Sequence, residues 1–147
     1  MLDVAYEAVG DLTPGELAAI DEDRGRIRVR LDEAAPLADV VRRLNSEVGK
    51  IMASVRWFQL WEDEVLSHNT PGRPLQVEYL LQQKAPLGVY VEERRGLLSF
   101  FIDPDIDVPR FAAVMNPVIQ EHLAGGQWFQ MYAGEIIDNS PEPMSQV

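Results

Sequence analysis

Cysteine is absent from the 147-residue chain, which excludes disulfides, a thiolate nucleophile and any Cys-type metal site. Histidine is nearly absent too, with only His68 and His122. Positive charge is scarce: thirteen basic residues, two of them lysine, stand against twenty-four acids, for a formal charge of -11. A nucleic-acid phosphate face or an anionic membrane surface needs the opposite balance, so neither partner is expected. No apolar run approaches the ~18 residues of a membrane span. The acidic amino terminus lacks the basic start of a secretory signal. A soluble cytoplasmic protein is the expectation.

What is present reads as an ordinary globular chain, 46% hydrophobic and 25% charged, long enough for one domain. No internal repeat stands out. Thr13-Pro14-Gly15-Glu16 has the makings of a capping box and predicts a short helix to about Ile20. Arg26 to Leu31 alternates at period two and predicts a strand with one apolar and one arginine face. From Pro36 the period changes. Leu37, Val41, Leu44, Val48, Ile51, Val55 and Phe58 form a seam at steps of four and three, which predicts a long helix from Pro36 to about Leu66.

Leu75–Leu81, Leu87–Glu93 and Leu97–Ile102 predict three strands of an antiparallel meander. Asp107 is placed to cap a second, shorter helix, kinked at Pro117 and ended by Gly125-Gly126. Gln127 to Ala133 is aromatic and alternating, hence a last strand. The sum is a single α+β domain over residues 1–138: a mostly antiparallel sheet of about four to five strands with one long and one shorter helix on one face. Residues 139–147 read as a flexible tail.

Chemical motifs are thin. Asp103-Pro104-Asp105-Ile106-Asp107 invites a calcium reading, but the positions that an EF-hand fills with Gly and Glu hold Val108 and Val114. A turn followed by a helix cap is the simpler reading. His68 sits in a polar stretch and His122 near a helix end, with no second ligand at zinc spacing. No serine lies in a G-x-S-x-G elbow or S-x-x-K motif, and there is no phosphate-binding glycine loop. Catalytic, metal and cofactor residues are therefore assigned to none, and the chain leans away from enzymes.

Two features are less ordinary. Arg26, Arg28 and Arg30 make a positive stripe in an acidic protein, to be paired with sheet acids such as Glu78 or Glu92 or to contact an anionic partner or ligand. The cluster of Trp57, Phe58, Leu60 and Trp61 is dense in aromatic area, and Leu60, Trp61 and Val65 lie toward the far end of the long helix. Together they predict an interface, most simply of a homodimer. The leading functional expectation is a non-enzymatic protein–protein interaction module: an accessory, adaptor or regulatory subunit. An acidic immunity or antitoxin-like protein neutralising a basic partner is a second. A small ligand-binding protein or enzyme with a pocket between sheet and helices is a third.

Overall fold

The computed structural model describes residues 2–54, 56–83 and 88–139. The chain is α+β, with the order β1 (Asp3–Val9), β2 (Ala18–Asp23), β3 (Arg26–Asp32), α1 (Leu37–Met52), β4 (Trp57–Trp61), β5 (Glu64–Leu66), then β6 (Gln76–Leu81), β7 (Val89–Arg94), β8 (Leu97–Ile102), α2 (Val108–Leu123), β9 (Trp128–Tyr132) and β10 (Glu135–Ile137). The strands form three sheets rather than one: β1-β3-β2, β6-β8-β7 and a four-stranded β10-β9-β4-β5. Pairing is mostly antiparallel, with β1–β3 and β6–β8 parallel.

Several expectations are corrected. Gly15 takes φ 86°, a left-handed conformation no helix tolerates, so Thr13–Glu16 closes a turn through Glu16 N–H to Thr13 C=O at 2.8 Å. The chain then enters β2, not a helix. The predicted meander is rearranged, because β8 lies between β6 and β7 and runs parallel to β6. The long helix ends at Met52, so both helices have 16 residues. Past it the Ser54 hydroxyl donates to the Ile51 carbonyl at 2.6 Å, and the aromatic run takes up the extended backbone that such residues favour. Of the expected tail, only Asn139 falls among the described residues.

An internal repeat exists, although none stands out along the sequence alone. Adding 71 to the numbers of β2, α1, β4 and β5 reproduces the bounds of β7, α2, β9 and β10. Trp57-Phe58-Gln59 and Glu64 recur as Trp128-Phe129-Gln130 and Glu135; Glu22, Arg24, Gly25, Asp32 and Asn45 recur as Glu93, Arg95, Gly96, Asp103 and Asn116. Even the unusual turn backbones repeat, at Glu62 and Asp63 (φ 46° and 68°) and at Ala133 and Gly134 (φ 51° and 81°).

The two halves interlock about a pseudo-two-fold axis. Asn45 of α1 brackets Tyr79 of β6, accepting from its N–H at 2.7 Å and donating to its C=O at 2.9 Å. Asn116 of α2 brackets Tyr6 of β1 in the same way, at 2.7 and 3.0 Å. Arg24 pairs with Glu135, and Arg95 with Glu64, each through Nε at 2.8 Å. On the axis the Tyr6 and Tyr79 hydroxyls meet at 2.6 Å, buried. Burial raises both phenols, Tyr6 well above its ordinary value and Tyr79 to about 12. One apolar core runs through both halves, from Leu31 and Leu44 to Phe100 and Phe111.

Candidate interaction face

The four-stranded sheet is two hairpins joined back to back. At its centre β4 and β9 pair antiparallel, with Phe58 opposite Phe129. The bridging bonds are reciprocal: Leu60 N–H to Gln127 C=O at 2.8 Å and Met131 N–H to Arg56 C=O at 2.7 Å. Strand alternation then sorts the side chains. Trp57, Gln59, Leu66, Trp128, Gln130 and Ile137 are buried. Between them Phe58 and Leu60, with Val65 facing Leu60, and Phe129 and Met131, with Ile136 facing Met131, turn the other way. Leu60, Val65 and Ile136 are 40, 66 and 68% exposed, and Phe58, Phe129 and Met131 are half-buried. No charge interrupts these six.

Beneath this face lies a polar layer that holds it rigid. The Glu22 carboxylate accepts from Trp57 Nε1 of its own half at 2.6 Å and from Gln130 Nε2 of the other at 3.3 Å. Glu93 does the same with Trp128 Nε1 at 3.3 Å and Gln59 Nε2 at 2.7 Å. Gln130 is completed by the Gly25 N–H at 2.7 Å and the Asp23 carbonyl at 3.0 Å, whereas Gln59 Oε1 is buried with no hydrogen-bond partner. Apart from that oxygen the layer is paired across both halves, and such buried pairing ties the elements it joins into one packing.

The halves diverge beside the two glutamates. Arg56 Nη2 lies 2.5 Å from Glu22 Oε1. At the corresponding place His122 Nε2 lies 3.0 Å from Glu93 Oε2 and 2.9 Å from Trp128 Nε1. A neutral ring with its proton on Nδ1 accepts from the indole; a protonated ring donates to Glu93 and leaves the indole to the carboxylate. His122 is therefore part of a structural cluster. His68 is half-buried in the loop after β5, apart from this network.

The expected interface residues are divided by the sheet. Trp57 is in the core, 4% exposed, and all four lie on the β4–β5 hairpin instead of a helix. Leu60 and Val65 are on the open face; Trp61 is half-buried on the side of Trp57 and Gln59. The face's second half, Phe129, Met131 and Ile136, escaped the sequence reading, although the repeated Trp-Phe-Gln was its signal. The arginine stripe is on the central strand β3, where Arg28 pairs with Glu7 at 2.9 Å and Arg30 with Asp11 at 2.8 Å. Arg26 stands in register with Asp3 and Asp23. The partners come from β1 and its following loop, not from Glu78 or Glu92. Asp103 accepts from Asp105 N–H and Asp107 from Arg110 N–H, both at 2.9 Å, so two of that segment's carboxylates serve a turn and a helix cap.

This chain matches no protein-family description, no curated protein and no solved structure. No helix among the described residues is long and apolar enough to cross a membrane.

Proposed function

We propose that the protein is a non-enzymatic interaction module, an accessory or regulatory subunit, that self-associates by stacking the open face of its four-stranded sheet on that of a second copy. The observation that carries this reading is the row of six outward apolar side chains from Val65 to Ile136. A sheet four strands wide and a few residues long presents roughly 300 Å², the size at which an apolar patch on a monomer is often functional. The face carries its own pseudo-two-fold symmetry, which suits an isologous contact. Two such faces bury less than the ~1,200 Å² of a standard interface, so the association is weak and concentration-dependent.

Each copy brings a charge of -11, and like charges repel. Salt screens that repulsion, so self-association tightens as ionic strength rises. Sedimentation velocity over a concentration series, at low and high sodium chloride, tests the reading. Val65→Asp and Ile136→Asp are expected to abolish association with unchanged circular dichroism, because both side chains are mostly exposed in the single chain. A wild type that stays monomeric at high concentration and high salt refutes self-association. The acidic charge also supports a second reading, an immunity or antitoxin-like protein covering a basic partner. Such a complex weakens with salt, the opposite sign.

A further inference from the structure

We propose that a cavity on the pseudo-two-fold axis is a binding site for a compact apolar molecule, no larger than a single aromatic ring. The cavity measures about 90 Å³. Equivalent residues of both halves line it in pairs: Val4 with Val77, Tyr6 with Tyr79, Trp57 with Trp128. It stands apart from the open sheet face, since none of that face's six side chains borders it.

The chemistry of the lining decides what can enter. Its principal polar atoms are already engaged with one another or with groups behind the wall. The two tyrosine hydroxyls bond each other, one donating and the other accepting, so one O–H proton of the pair is left over. The two indole N–H groups point to Glu22 and to Glu93 with His122. A water molecule needs two to four polar partners and about 10–15 Å³; this space has the volume, but its lining is almost wholly apolar. It is of the order of the engineered apolar cavity of about 150 Å³ that stays dry and takes up benzene. Voids of this size are rare in close-packed cores, because the lining atoms forgo dispersion contacts. An apolar occupant restores them.

Access is also visible. The lining residues Ile20, Ile51, Val77 and His122 remain partly exposed and mark the rim. Ile51 and His122 occupy equivalent positions of α1 and α2, so the rim is apolar on one side and carries an imidazole on the other.

Benzene is the probe, added to the full chain and followed by two-dimensional NMR and thermal melting. Saturable shifts are expected at the Trp57 and Trp128 indoles and the lining methyls, with Val65 and Ile136 unmoved, together with a raised melting temperature. Val77→Phe fills the space from β6 and is expected to weaken benzene binding at least tenfold while melting no lower than wild type. Ile20→Phe, from β2, serves the same purpose should the first variant misfold. A wild-type response that does not saturate overturns the proposal. So does one centred on Val65 and Ile136, or one retained in a folded filling variant.

Discussion

Replacing Asn45 by Ala removes two hydrogen bonds at once, one to the Tyr79 N–H and one to its C=O. Each such bond contributes about 0.5–1.5 kcal/mol net, and a partly buried peptide group left unpaired adds a desolvation penalty of about 1–3 kcal/mol. Tyr79 is on β6, an edge strand, so water reaches part of the gap and the lower figures apply. The expected loss is about 2–3 kcal/mol, or roughly 5–10 °C in melting temperature for a chain of this size. Asn116→Ala opens the same gap at Tyr6 and should cost a similar amount, since it removes the same two bonds to a strand at the edge of its own sheet. Urea unfolding of both variants gives the answer, read as a change in midpoint at constant slope. If one variant loses the full amount and the other almost nothing, the two clamps are not energetically equivalent. The pseudo-symmetry would then be a matter of shape alone.

Tyr6 and Tyr79 bear on alkaline stability. Their folded-state values lie above the ~10 of an unfolded tyrosine, so their contribution is complete below pH ~10 and is lost as pH rises toward about 12. Phenolate absorbance of these two rings should appear together with loss of circular dichroism; reversible titration near pH 10 in a folded chain would contradict their burial. Arg28→Gln breaks a part-exposed pair with Glu7 and should cost about 0.2–1 kcal/mol, leaving self-association unchanged. A loss of association at unchanged melting would make the stripe a contact surface. Ala133→Gly relieves a left-handed turn residue at φ 51° and should stabilise by about 0.5–1 kcal/mol, measurable as a higher urea midpoint.

Elements whose local signals agreed with their surroundings were legible. Arg26–Leu31 and Leu97–Ile102 are strands as their patterns require, and Asp107 caps α2 through its own carboxylate. The helix reading failed where one rhythm ran over a boundary. Val55 and Phe58 continue the steps of four and three by chance, while Trp57 to Trp61 also satisfies a strand's alternation. A run read alone cannot settle such an ambiguity; its twin at Trp128–Tyr132 does. The repeat is hard to see along the sequence because most of its matching residues stand singly between unmatched ones. Helix positions such as Arg42-Arg43 and Ala113-Val114 do not match. The site is half visible: Leu60 and Val65 stand out by apolar content, but the face they share depends on β9, which meets β4 at Phe58 opposite Phe129 and at Leu60 N–H to Gln127 C=O.

The crossed arrangement of the halves has a consequence for synthesis. Asn116 clasps Tyr6 across 110 positions of chain, and Leu2 N–H donates to the Asp138 carbonyl at 2.7 Å. A ribosome adding about 5–20 residues per second therefore leaves the first strand without its helix for several seconds. During that interval β1 can pair with β3 and α1 can pack on β2, but β1 lacks the helix that covers it until α2 emerges. Until Asn116 arrives, the Tyr6 N–H and C=O lack the side chain that pairs with both in the finished fold.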